Sequence, residues 1–238
     1  MDNKDQFIVE TQQMIKRLKN IRGFKQLTDS LEKRVDSYQN RSFTVALFGA
    51  FSAGKSSFAN ALIGERLLPS SPTPTTATIN KIAPPTEKKK HGLVEVMLKT
   101  EEDLLKEVFE SIPSLSNQLD SLQKIIDSIK ELALVGKEQT ELDNIKKYKI
   151  ALEDYQRLTE NGLVITSSKD SFKDFVAKEE KACLVKEVIV YFDCQITKAG
   201  ITLVDTPGAD SLHKRHTDVA FQYIKSADAI LYVTYYNH

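Results

Sequence analysis

The chain has no tryptophan, only two cysteines, and just nine glycines and seven prolines among its 238 residues. Two thiols, Cys183 and Cys194, build no disulfide framework, and their spacing fits no zinc site, so they read as free thiols of a reducing compartment. The composition, 41% hydrophobic and 28% charged, rules out wholesale disorder. Neither sign of charge is in excess, because 33 Lys+Arg stand against 33 Asp+Glu. That balance argues against a general electrostatic attraction to nucleic acid or anionic lipid. No apolar run approaches the ~18 residues of a spanning helix. The opening MDNKDQFIVE lacks the apolar stretch and cleavage site of a signal peptide. These absences predict a soluble, cytoplasmic chain whose membrane contact is peripheral. What is present is 41% hydrophobic and 28% charged residues, enough for an ordinary globular core.

Residues 1–40 read as a helical arm. Ile8, Thr11, Ile15 and Leu18, then Leu27, Leu31 and Val35, recur near three- and four-residue spacing. Gly23 breaks or bends the run, and Asp29 with Glu32 reads as a new N-cap and its return partner. Two readings stay open: a helix packed on its own domain, and an arm whose apolar stripe awaits helices outside this chain.

The texture changes at Arg41. Phe43–Phe48 predicts a strand buried on both faces, and Ser56–Ile63 a helix. Residues 65–76 hold three prolines and read as a loop. Thr76–Ile82 and Leu93–Leu98 read as strands joined across the tip Pro84–His91, where Lys88, Lys89 and Lys90 are solvated. Residues 100–182 predict three or four amphipathic helices, an all-α insertion, opened by Thr100 with Asp103 at the capping-box position. Strand texture returns at Val185–Phe192 and Ile201–Val204, and their short connection predicts an antiparallel hairpin. A helix over Thr217–Ser226 and a buried strand over Ala227–Thr234 follow. The whole predicts an α/β sheet with helices on both faces over residues 41–238. Further βα units are expected after it, so the domain reads as C-terminally incomplete.

The chemistry sits in three segments. Gly49-Ala-Phe-Ser-Ala-Gly54-Lys55-Ser56 fits G-x-x-x-x-G-K-[ST] between a strand and a helix. Backbone N–H groups from Gly49, Ala50, Phe51, Ser52, Ala53 and Gly54 through Ser57 are placed to cradle phosphate. Lys55 supplies charge to the β- and γ-phosphates, and the Ser56 hydroxyl is a Mg²⁺ ligand. Asp205-Thr-Pro-Gly208 follows the ITLV strand. There Asp205 holds Mg²⁺ through water, and the Gly208 N–H bonds the γ-phosphate. The loop Pro72–Thr76 offers Thr76, then Thr75, as a Mg²⁺ ligand that also orients the attacking water. His213 and His216 read as a solvated switch segment rather than as bases, and Arg215 as a finger is the lesser reading.

These segments, with Leu67-Leu68-Pro69 and the closing Ala227–His238, resemble the dynamin superfamily of GTPases, bacterial dynamin-like proteins in particular. The resemblance covers about residues 41–238 without the helical insertion. It implies a P-loop NTPase fold of the translation-factor-like class, GTP as substrate and GDP as product, and Mg²⁺. It implies a nucleotide-dependent homodimer through the GTPase face. It also implies membrane remodelling or tethering through regions outside this chain, at the inner face of the cell membrane, with no nucleic acid. By the same likeness Ser52 holds the catalytic water and a monovalent cation, in place of an arginine finger. The catalytic candidates are thus Ser52, Lys55, Thr76 and Gly208, and the metal candidates Ser56, Thr76 and Asp205. The N-terminal helix matches one that joins a bundle in that family. The guanine-reading N/T-K-x-D motif is absent, so preference for GTP rests on the likeness alone. Two other classes fit the residues: a regulatory GTPase without a membrane role, as in ribosome assembly, and a non-enzymatic helical interaction module using residues 1–40 and 100–182.

Overall fold

The computed structural model describes residues 3–40, 42–50, 53–68, 78–115, 121–131, 139–172, 175, 178–208, 221 and 223–234. Helices α1 (Asn3–Leu18) and α2 (Lys25–Gln39) pack on each other, burying Thr11, Ile15 and Thr28 apart from the main core. The expected cap at Asp29 is not used. Helix α2 starts five residues earlier than that cap would set, after Phe24, without a side-chain cap. Glu32 instead reaches Lys19 of the α1–α2 turn at 2.8 Å and ties the two helices together.

Seven strands form one sheet, in the order β4-β3-β5-β2-β6-β1-β7. They are β1 (Phe43–Phe48), β2 (Ile79–Ala83), β3 (Leu93–Leu98), β4 (Val164–Ser168), β5 (Val185–Tyr191), β6 (Ile201–Asp205) and β7 (Ala229–Tyr232). Strand β1 runs parallel to β6 and β7, as a doubly wound sheet requires. Helix α3 (Lys55–Ile63) follows β1 and buries Ala59 and Ile63 in the core.

Both predicted hairpins are corrected. Strand β2 stands between β5 and β6, antiparallel to β6 and parallel to β5, so Val185–Phe192 and Ile201–Val204 do not pair. Likewise β5 stands between β2 and β3. The expected relative directions hold, but the two pairs interdigitate. Residues 84–92 and 192–200 are long enough to pass one strand, a step of two inter-strand spacings of ~4.8 Å each. The second connection spends its length on helix α8 (Gln195–Lys198), whose Thr197 hydroxyl donates to Phe192 O at 2.6 Å.

The segment after β3 is helical, with α4 (Glu101–Ser111), α5 (Leu122–Glu131) and α6 (Gln139–Thr159). Thr100 caps α4 by accepting from the Asp103 N–H, as its sequence predicts. The segment also contains β4, an addition to the helices-only expectation. This short β-branched run extends the sheet beside β3, and its exposure alternates as an edge strand's does. Helix α7 (Glu179–Ala182) leads back into β5. Leu104, Val108, Ile125, Tyr148 and Leu152 share one apolar cluster with Leu47, Val94 and Val188 of the sheet. The helical segment therefore packs onto the sheet core rather than around a core of its own.

Strand β7 departs from the expectation of burial on both faces. It lies at the sheet edge beside β1, with Ile230, Leu231 and Tyr232 exposed among the described residues.

Candidate nucleotide-binding site

The site begins where β1 ends. Parallel pairing sets Leu47 opposite Asp205, so the carboxyl end of β6 arrives beside the loop that follows β1. Thr206 locks this meeting by donating to Leu47 O at 2.7 Å. Crevices at the carboxyl ends of parallel strands are where α/β sheets bind ligands.

Gly49 is required by crowding. A Cβ there would stand 2.0 Å from Val233 O, on the segment whose N–H bonds Phe48 O at 2.7 Å. Gly54 is required by conformation, with φ +90° at the entry to α3. A left-handed residue there turns the chain so that the first N–H groups of α3 face the loop.

Lys55 is buried, and its Nζ donates to Gly49 O at 3.0 Å and to Ala50 O at 2.7 Å. The ammonium is thereby held inside the turn whose N–H groups would meet phosphate oxygens. Ser56 Oγ donates to Asp205 Oδ2 at 2.5 Å. Asp205 is almost fully buried, and this burial pushes its carboxyl up to about 6, although the Ser56 hydrogen bond and the Lys55 charge act to lower it. Its other oxygen, Oδ1, is buried without a partner. Pro207 and Gly208 follow, also buried.

The structure thus brings together Gly49, Ala50, Gly54, Lys55, Ser56 and Asp205, with Ala53 in the turn, Ser57 exposed on the first turn of α3 and Gly208 buried three residues after Asp205. Phe51, Ser52, Thr75, Thr76, His213, Arg215 and His216 lie outside the described residues. The donor set suits a hard cation. Magnesium takes few protein ligands and keeps several waters, so one hydroxyl, one carboxylate and phosphate oxygens suffice. The partnerless Asp205 Oδ1 is where such an ion's water would be received. Among the described residues no group of three or more His, Cys, Asp or Glu forms a denser metal cage.

Two supporting groups escaped the sequence reading. Asn60 on α3 accepts from Leu67 N and Leu68 N, at 2.9 and 2.8 Å, and donates to Leu68 O. It pins Leu67 and Leu68, the last described residues before Thr78, to α3. An asparagine in mid-helix, a poor helix former, was the available signal. On the opposite face of the sheet Lys81 and Glu187 pair at 2.8 Å, and the Tyr223 hydroxyl donates to Glu187. Lys81 also lies over the Tyr223 ring at 4.9 Å. Burial pushes the Tyr223 phenol up, with Glu187 adding to the shift. This cluster anchors Tyr223 to the sheet, and only the register of β2 with β5 discloses it.

The profile of the dynamin family matches residues 45–238. The chain is 47% identical over 213 residues to Dynamin-like protein A of Bacillus subtilis (strain 168), covering 89% of this chain and 18% of that protein. It is 24% identical over 212 residues to Dynamin-like protein 1 of Campylobacter jejuni subsp. jejuni serotype O:23/36 (strain 81-176), covering 87% of this chain and 25% of that protein. The chain therefore spans at most a quarter of these curated relatives. Two solved structures of an oligomerised bacterial dynamin pair, described as sensing and tethering membranes, align over 95% and 96% of this chain and 28% and 32% of theirs. Both have a TM-score of 0.49 and 19% identity. The family match over residues 45–238 and the 47% identity over 89% of the chain show that this chain belongs to the dynamin family, through the family's GTPase domain.

Proposed function

We propose that this domain binds GTP with Mg²⁺, cleaves the bond between the β- and γ-phosphates, and uses that cycle to drive a membrane-remodelling or membrane-tethering protein. The observation that carries the reading is the placement of Lys55 inside the loop after β1 with Ser56 bonded to Asp205. Lys55 neutralises the β- and γ-phosphate oxygens. Ser56, Thr76 and Asp205 hold Mg²⁺, which draws charge from the phosphate oxygens when bound. The Gly208 N–H senses the γ-phosphate. Ser52 positions the attacking water and a monovalent cation. The nucleotide face is also the homodimer face, and membrane contact comes from residues outside this chain, at the inner face of the cell membrane. No helix among the described residues is long and apolar enough to cross a membrane. Residues 1–40 serve as the bundle arm, and residues 41–238 as the GTPase domain. Family membership weighs against the ribosome-type regulator and against a purely helical interaction module.

A fluorescent guanine nucleotide titrated with Mg²⁺, then displaced by unlabelled GTP or ATP, tests this reading. Displacement by GTP alone is expected, with phosphate release under the same conditions. Equal displacement by ATP would remove guanine selectivity from this chain, and no binding at all would overturn the reading. Dimerisation and liposome flotation that depend on nucleotide, measured on the protein that contains this chain, separate the dynamin role from a regulator with no membrane. Within this scheme Ser52→Ala is expected to slow hydrolysis by ~10²-fold while nucleotide affinity stays within a few-fold of wild type. Parallel loss of both in stopped-flow binding and phosphate-release assays would make Ser52 structural instead.

A further inference from the structure

Among the described residues three buried side-chain atoms have no hydrogen-bond partner: Thr78 Oγ1, Asn80 Oδ1 and Asp205 Oδ1. They fall in one place. Asn80 of β2 stands directly opposite Asp205 of β6 across an antiparallel pair. Directly opposed residues point to the same face, with Cβ atoms ~4.5–5.5 Å apart. Thr78, also buried, stands just before β2, two residues from Asn80.

The chemistry of the set is unbalanced. An ionised carboxylate oxygen and an amide oxygen are both acceptors, so Asn80 Oδ1 and Asp205 Oδ1 cannot satisfy each other. Two donors of the site are engaged elsewhere, and the Thr78 hydroxyl, donor and acceptor both, has no partner. Ser56 gives its proton to Asp205 Oδ2, and Lys55 donates to the Gly49 and Ala50 carbonyls. Buried acceptors left without donors are costly, and proteins keep them where a ligand supplies the donors. Water bound to a divalent cation is such a donor, since the metal polarises its O–H bonds.

We infer that Asn80, assisted by Thr78, receives hydrogen bonds from the hydration shell of the divalent cation held at Ser56 and Asp205, and so acts as a positioning residue for that ion. The inference rests on the phosphate-site reading above. It sets a role for strand β2 that the sequence motifs do not contain. The ion is gripped through its waters from two strands, β2 and β6, and through Ser56 of α3. Outer partners of a metal site commonly contribute 10- to 100-fold in affinity.

The test is a Mn²⁺ titration, read by electron paramagnetic resonance, of the chain bound to a non-hydrolysable GTP analogue. Nucleotide affinity in EDTA is measured beside it. Asn80→Ala is expected to raise the Mn²⁺ Kd by ~10-fold or more, with affinity in EDTA unchanged. Asn80→Asp keeps an acceptor and is expected to retain wild-type metal affinity or better. Should Asn80→Ala fail to fold, the near-isosteric Thr78→Val carries the same expectation. A Mn²⁺ Kd within twofold of wild type overturns the inference. So does an equal loss of nucleotide affinity with and without metal, which marks a structural role. Wild-type chain that binds no nucleotide overturns the phosphate-site reading itself, an outcome distinct from both.

Discussion

Lys55→Ala is expected to lower GTP hydrolysis by at least ~10²–10³-fold and to weaken nucleotide binding, because the variant removes the fixed positive charge inside the phosphate loop. The ammonium is buried and already aimed by the Gly49 and Ala50 carbonyls, so little reorganisation separates it from a bound phosphate. Charge placed in advance within a desolvated loop acts far more strongly than the same charge in water. The fold is expected to survive. Deleting a buried lysine relieves its own desolvation, and the two carbonyls it leaves lose their donor at a cost of about 1–3 kcal/mol. Circular dichroism and a thermal midpoint within a few degrees of wild type would confirm that the loss is chemical. Hydrolysis at the wild-type rate in this variant would falsify the assignment of the loop.

Asp205→Asn is expected to move stability and function in opposite directions. The carboxyl is almost fully buried, with one oxygen on Ser56 and the other partnerless. Its folded-state value, pushed up from 3.8 to about 6, lies above that of the unfolded chain. A group of this kind stabilises the fold while protonated and loses that contribution as pH rises through about 6. At neutral pH the ionised carboxylate therefore costs the metal-free domain up to about 3 kcal/mol. Asparagine carries no charge, still accepts from Ser56, and presents an amide donor toward Asn80 Oδ1 across the strand pair. The variant should be the more stable protein at pH 7, and the difference should shrink toward zero as pH falls below 4. Chemical denaturation at several pH values, with EDTA present, measures this. A variant less stable than wild type at pH 7, or a difference that ignores pH, would contradict the account. Metal-dependent nucleotide affinity should meanwhile fall by ~10- to 100-fold, because a neutral amide replaces the anion that faces the cation. A stability loss held in reserve for a cation is a common pattern at functional sites.

Some of this molecule is local, and the local part was legible. A strand, a glycine-framed turn and a helix in immediate succession are short-range features, so the β1–turn–α3 arrangement around Gly49–Ser56 could be read from residue types alone. The Thr100 cap and the helices that follow it were legible for the same reason, since capping and the 3.6-residue period act over a few residues. The relative directions of β2, β3, β5 and β6 were legible too, because short connections reverse the chain.

Adjacency was not local. Whether β6 pairs with β5 or with β2 and β1 depends on which pairing buries both faces of each strand, a long-range choice that connections of this length permit either way. Pairing also sets β7 beside β1 at the edge of the described sheet, although its apolar run reads like β1's. It also decided matters of function. Only the β1–β6 register sets Asp205 beside the phosphate loop, and only the β2–β6 register sets Asn80 opposite it. Residue order alone carried the G-x-x-x-x-G-K-S turn between a strand and a helix, and with it the proposed roles of Lys55, Ser56 and Asp205. Tertiary structure alone decided that Asp205 is desolvated and that buried, partnerless oxygens gather around it, because burial and pairing arise from strands distant in the chain meeting in the sheet.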